Sequence, residues 1–374
     1  MDDLGFSFNV VFRADASVQI GTGHLMRCLT LADELTRQGH ECRFICRKHK
    51  GHLGELISGK GYELTLLPAI DSTEPESASN RNTTYADWLG VPWPQDAEQT
   101  LEALMAFKAD WLVVDHYALD ASWEQQIAKA VGRIMVIDDL ADRNHECALL
   151  LDQNLGRSLS DYDGLVPQHC QRLIGPDYAL LRPEFAKLRE RSLKRRARPE
   201  LKRILISLGG VDRANVTGQV LSALGATALP WSTHLDIIMG EAAPYLDEVK
   251  QQAAQLLFKA TVSVNVRDIA ERMYLADLSI GAAGSTAWER CCLGLPAITV
   301  ILADNQRLIG YALARSESTF LVENSQIAEG IVRRISWLLE STEERQRYSR
   351  NAAAVCDGAG TIRTISRLIA SSQT

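Results

Sequence analysis

"FRADASVQIGTGHLMRC", residues 12 to 28, sets a histidine directly behind a Gly-Thr-Gly loop. Ahead of it, "FNVVFR" (Phe8 to Arg13) is a β-branched and aromatic run of the kind that fills a buried strand of a parallel sheet. Behind it, Leu25, Cys28, Leu29, Ala32 and Leu35 recur at helical spacing until Gly39 supplies the stop. The order is strand, glycine loop, helix, which opens a wound α/β sheet. In such sheets the ligand crevice lies beyond the carboxyl ends of the strands, so Gly21, Thr22, Gly23 and His24 are expected at its rim. The positive end of the helix dipole disfavours imidazolium in the first turn, and a neutral ring can accept a proton. The plainer alternative is that His24 only caps or packs against its loop.

The pattern continues outward from this unit. "NVVF", "CRFIC", "LTLLP", "WLVVD", "IMVID" and "ALLLD" read as strands, with helices at Ala97 to Ala109 and Ser122 to Val131. The polar interval from Ala69 to Trp88 is too long for an ordinary connection and reads as a lid or a partly disordered loop. The basic run "KLRERSLKRRARPELKR" (Lys187 to Arg203) then breaks the alternation as a solvated helix and linker. Beyond it the alternation restarts with "RILISLGG", "LDIIMG", "ATVSVNV", "LSIGA" and "PAITVIL" as strands, separated by helical segments. The expected fold class is α/β, with two Rossmann-like domains, residues 1–190 and 201–374, facing across a cleft. The last helices, "IAEGIVRRISWLLES" and "GTIRTISRLIAS", are candidates to pack back on the first domain.

Composition narrows the function classes. A chain of 374 residues, 46% hydrophobic and 23% charged, has room for about two cores. Its net charge of −7 argues against affinity built on phosphate backbones, so no nucleic-acid partner is expected. The acidic start "MDDLGFSFNV" does not resemble a secretory signal, and no 18-residue apolar run occurs, so no membrane insertion and a cytoplasmic location are expected. The eight cysteines form no C-x-x-C pair and read as reduced and buried. "HKGH" (His49 to His52) is weak as a metal pair, and the aspartates of "DDLAD" (Asp138, Asp139, Asp142) read as hydroxyl binders or loop caps rather than magnesium ligands. No metal site is expected.

The second half carries the stronger phosphate signal. "GAAGSTAWERCCLGLPAIT" sets Gly284, Ser285 and Thr286 between a strand and a helix, where backbone N–H groups and hydroxyls can receive a pyrophosphate. Glu289 follows one turn later, placed to accept hydrogen bonds from both hydroxyls of a ribose. The loop is neither G-x-G-x-x-G nor a Walker sequence, which disfavours dinucleotide and P-loop readings.

With these motifs assembled, "FRADASVQIGTGHLMRCLTLADEL", "VVDHYALD", "IDDLADR", "LISLGGVD" and "GSTAWERCCLGLPAI" resemble the UDP-2,4-diacetamido-2,4,6-trideoxy-β-L-altropyranose hydrolases of pseudaminic acid biosynthesis. The resemblance spans nearly the whole chain. The spore-coat polysaccharide proteins, which share the first motif, are a less specific neighbour. The family is similar in fold to inverting GT-B glycosyltransferases, and the resemblance implies a UDP-sugar substrate, no cofactor and no metal. It implies that water attacks the anomeric carbon with inversion while UDP leaves, with His24 as the general base. Arg13, Gly21, Thr22, Gly23, Tyr85, Asp115 and Tyr117 are the expected sugar-side residues. Gly209, Gly210, Gly284, Ser285, Thr286, Glu289, Asn305 and Gln306 are the expected nucleotide and sugar contacts of the second half. His116 is the rival base. Two alternatives stay open: a UDP-sugar-dependent inverting glycosyltransferase or related enzyme of surface polysaccharide synthesis, and a non-catalytic nucleotide-sugar binder.

Overall fold

The computed structural model describes residues 7–69 and 85–372, so most of the polar interval read as a lid lies outside the described residues. By its contacts the chain divides into two compact units. One comprises residues 1–153, 157–174 and 361–374, the other residues 154–156 and 175–360.

In the first unit the β-branched runs become a seven-stranded sheet: β1 (Asn9–Ala14), β2 (Glu41–Arg47), β3 (Glu63–Leu67), β4 (Trp111–Asp115), β5 (Arg133–Ile137), β6 (Leu149–Asp152) and β7 (Gln171–Ile174). Their spatial order is β3-β2-β1-β4-β5-β6-β7 and every pairing is parallel. β1 holds β2 and β4 on either side, with Val10 opposite Cys42 and Trp111. Helices cover both faces, which is why "WLVVD" is buried at all five positions and shows no alternation. Val11, Leu112, Val114, Val136 and Leu150 pack one face against Trp123 and Ile127. The final helix belongs to this unit through its last turn, where Trp111 Nε1 donates to Ser372 Oγ at 2.7 Å.

The second unit repeats the plan with six strands: β8 (Arg203–Ser207), β9 (His234–Met239), β10 (Lys259–Val264), β11 (Leu278–Ala282), β12 (Ala297–Ile301) and β13 (Phe320–Glu323). The order is β10-β9-β8-β11-β12-β13, again all parallel. The helix Ile327–Glu340 packs within this unit, Ile331 and Ile335 joining Val220 and Leu224 in its core.

The basic segment differs from its reading as a solvated linker. The helix Pro183–Arg196 counts with the second unit, whereas the sequence reading kept residues up to 190 with the first. Its arginines serve as backbone clamps. Arg196 donates to the carbonyls of Met273, Ala276 and Leu293, and Arg189 to those of Cys292, Ala353 and Cys356. These carbonyls lie at helix C-termini, where unpaired C=O groups and the negative dipole end attract a cation.

Both sheets reverse direction between their first strand and the strand added on its other side: between β1 and β4, and between β8 and β11. The crevice beyond the carboxyl ends at such a switch point is where an open α/β sheet binds its ligand.

Candidate functional site

In the first unit the loop after β1 is wound by its own backbone. Ser17 Oγ accepts from the Gln19 and Ile20 amides, the Gly21 amide donates to Ser17 O, and Gly21 sits at φ +82°, a conformation that favours glycine. The helix Gly23–Arg37 starts immediately afterwards, so His24 stands in its first turn beside the end of β4. Its Nδ1 lies 2.6 Å from Oδ1 of Asp115, the last residue of that strand.

Asp115 is fully buried and heavily partnered. Arg27, one turn beyond His24, donates to it twice, from Nε to Oδ2 at 2.6 Å and from Nη2 to Oδ1 at 2.7 Å. Burial pushes the Asp115 carboxyl up, but the Arg27 guanidinium and His24 outweigh it and hold it well below the usual carboxylate range. An ionised carboxylate only accepts, so Nδ1 of His24 carries the proton of this hydrogen bond, and in the neutral ring the lone pair falls to Nε2.

The guanidinium of Arg27 bridges onward to Asp139, Nη1 to Oδ1 at 3.0 Å and Nη2 to Oδ2 at 2.8 Å. Tyr117 donates to the same carboxylate at 2.7 Å, and burial pushes its hydroxyl well above the ordinary range, so it stays a donor. The Tyr117 ring lies edge-on to His24 at 4.5 Å and is stacked with Trp88 at 5.6 Å. Tyr85 joins both, at 5.0 Å from Tyr117 and 4.9 Å from Trp88. An imidazole oriented through its Nδ1 thus stands beside an aromatic wall.

Two expected residues stand elsewhere. Arg13 is wholly buried, its guanidinium paired with Asp15 and Asp96 at 2.7 Å each. Arg47 and the Trp123 indole complete the cluster on Asp96. A long cation at the end of a central strand reads as a ligand contact, but here two aspartates hold it inside the sheet as scaffold. His116 is equally spent: Nδ1 accepts the Ala118 amide, leaving Nε2 as N–H facing Asp15 at 3.4 Å. Burial lowers its basicity, so the rival to His24 is a neutral buried ring with no lone pair to offer.

The aspartates of "DDLAD" divide. Asp138 caps its loop, accepting from the Ala141 amide and the Tyr162 hydroxyl, while Asp139 alone reaches the His24 cluster and Asp142 pairs with Arg143. Among the described residues no group of three or more His, Cys, Asp or Glu side chains is arranged to hold a metal ion. All eight cysteines are free and buried.

In the second unit two loops lie side by side at the carboxyl edge, because β8 and β11 are neighbours with Ser207 opposite Gly281. Gly209 and Gly210 follow β8, both exposed, with Gly209 at φ +99°. Gly284, Ser285 and Thr286 follow β11, and the Ser285 side chain makes no cap bond to the helix Thr286–Cys292. Beneath that loop Arg290 donates from Nη2 to Ala282 O at 2.7 Å and from Nη1 to Thr286 Oγ1 at 3.3 Å. Glu289 is mostly covered, 3.3 Å from Arg182 Nη2, and its burial pushes the carboxyl up against the pull of Arg182. Gln306 accepts the Leu302 amide through Oε1, which turns its Nε2 towards Gly284, and the neighbouring Asn305 is exposed.

Sequence reasoning missed Arg27, Trp88 and Arg182. Arg27 had a signal, the i, i+3 spacing from His24 on one helix face with an acidic strand end elsewhere. Trp88 and Arg182 had none beyond their residue type.

Among known proteins the chain is similar to the UDP-2,4-diacetamido-2,4,6-trideoxy-β-L-altropyranose hydrolase of Campylobacter jejuni, 26% identical over 307 residues that make up 82% of this chain and 96% of the relative. It is also similar to the spore coat polysaccharide biosynthesis protein SpsG of Bacillus subtilis, 26% identical over 193 residues, 50% of this chain and 55% of the relative. No family model matches the chain. Among solved structures, MurG of Acinetobacter baumannii aligns over 96% of this chain and 99% of its own with a TM-score of 0.69 at 14% identity. The calicheamicin glycosyltransferase CalG4 aligns over 98% of both chains with a TM-score of 0.67 at 13% identity. The resemblance carried by the motifs is therefore borne out, and so is the GT-B-like α/β fold of two parallel-sheet units.

Proposed function

We propose that this protein is an inverting nucleotide-sugar hydrolase that cleaves UDP-2,4-diacetamido-2,4,6-trideoxy-β-L-altropyranose to UDP and the free sugar in pseudaminic acid biosynthesis. The observation that carries the proposal is the His24–Asp115 hydrogen bond of 2.6 Å at the switch point of the first sheet. It leaves Nε2 as an acceptor for the proton of an attacking water. A base so placed contributes about 100-fold to 10,000-fold in rate.

In this reading water forms its bond to the anomeric carbon while Nε2 of His24 takes one of its protons. The bond from that carbon to the pyrophosphate oxygen breaks, and UDP leaves with the electron pair. The amides and hydroxyls from Gly284 to Thr286 receive the charge that develops on the pyrophosphate, and Glu289 accepts from the ribose hydroxyls. The name of the Campylobacter jejuni relative supports the substrate. Work in the cytoplasm accords with the eight free cysteines.

The test is to incubate the protein with this UDP-sugar in 18O-labelled water with no acceptor. The reading expects UDP without label, a sugar carrying one labelled oxygen, and the inverted anomer as first product. Label in UDP, or no turnover without an acceptor alcohol, contradicts it; the second result points to a glycosyltransferase.

A further inference from the structure

The reading of His24 as a base leaves one cation of the cluster without a task. Arg27 is buried and lies on the same helix as His24. It grips Asp115 with two prongs at 2.6 and 2.7 Å, approaches His24 Nδ1 itself at 3.4 Å with Nη2, and is held from behind by Asp139.

We propose that Arg27 is a positioning residue that sets how much of the Asp115 charge His24 feels. This inference rests on the function proposed above. A carboxylate alone against Nδ1 would favour imidazolium, which cannot accept a proton from water. A carboxylate shared with a guanidinium still fixes the tautomer and the ring plane, yet gives up much of its charge to the cation. Asp139 works in the opposite sense, drawing Arg27 away from Asp115. Among the described residues the charged and titratable groups around His24 are Asp115, His116 and Tyr117 at the end of β4, Arg27 and Cys28 on its own helix, and Asp139 beyond β5, with Tyr85 and Arg143 behind the Tyr117 ring. Of these His116 is held neutral, and burial keeps the Tyr117 hydroxyl and the Cys28 thiol protonated, which leaves Arg27 as the cation paired with Asp115 among the described residues.

The readout is the acid limb of kcat/KM against pH, where the base becomes protonated. In Arg27→Met the imidazole feels the whole carboxylate and holds its proton to higher pH, so the limb moves up by about one unit. In Asp139→Asn Arg27 closes more fully on Asp115, so the limb moves down. Arg27→Lys keeps the charge without the fork and is expected in between, which covers the case in which Arg27→Met fails to fold. A purely structural role would lower activity at every pH without moving the limb, and shifts of the same sign in Arg27→Lys and Asp139→Asn, or none, overturn the proposal. Failure of the underlying reading looks different: His24→Ala would keep its activity, and no variant of its neighbours would then bear on a base.

Discussion

His24 and Asp115 lie 91 residues apart in the chain, and their side chains meet at 2.6 Å because β1 and β4 are neighbours in the sheet. The topology brings a helix-start histidine and a strand-end aspartate to one rim. In Asp115→Asn the amide can donate to Nδ1, so the proton moves to Nε2 and the lone pair turns inward. Activity is expected to fall by at least about 100-fold, with UDP affinity unchanged. Steady-state UDP release and calorimetry with UDP check both halves of this expectation.

Glu289 and UDP form the second prediction. Glu289→Gln keeps the shape but loses the ionised acceptor that the proposed function assigns to two ribose hydroxyls, and UDP binding is expected to weaken by roughly tenfold. Because burial raises the carboxyl in the free protein, protonation removes the acceptor at a higher pH than for an exposed glutamate. UDP affinity is therefore expected to decline as pH falls through that raised value. Equal UDP affinity for the parent and Glu289→Gln would exclude the ribose role.

Gly240 makes the third. Its amide donates to Gly210 O at 3.0 Å, and a Cβ at Gly240 would run into that same carbonyl. Backbone cannot swing aside as a side chain can, so Gly240→Ala is expected to cost about 1–3 kcal/mol and to displace the loop carrying Gly209 and Gly210. A lowered Tm together with weaker UDP binding is the expected pair of results. An unchanged Tm would contradict the close approach.

Acid stability is the fourth. Burial pushes Asp15 and Asp115 up, but Arg13 and Arg27 respectively outweigh it and hold both carboxyls low in the folded state. Their folded values lie below the unfolded value of about 3.9, so the unfolded chain binds more protons as pH drops. The stability they contribute is present above about pH 4 and is lost as pH falls towards the folded values. Urea unfolding at pH 7, 5 and 3.5 is expected to show a drop confined to the lowest pH. Stability that does not change over this range would contradict the buried ion pairs.

Much of the fold is legible in the sequence. "WLVVD" and "RILIS" are continuous apolar runs with one sheet-buried meaning, and Gly-Thr-Gly-His between a strand and a helix leaves few folds to choose from. β7 and β13 escaped because "QRLI" and "FLVE" are four residues long and carry polar ends, so their strand character comes from the neighbours they pair with. Local geometry was legible where a strand runs into a helix, at His24 and at Gly284 to Glu289. It was illegible where distant pairings decide it. Nothing local distinguishes Arg13, neutralised by an aspartate 83 residues away, from an arginine that meets a ligand, and nothing local marks His116 as a ring with both nitrogens spent.

The central claim is that His24 activates water, and the direct test is UDP release from the diacetamido sugar by the parent protein and by His24→Ala, with no acceptor present and UDP affinity measured alongside. The account expects steady turnover by the parent, and a loss of about 100-fold or more in His24→Ala with UDP affinity retained. Turnover by His24→Ala within a few-fold of the parent would contradict it.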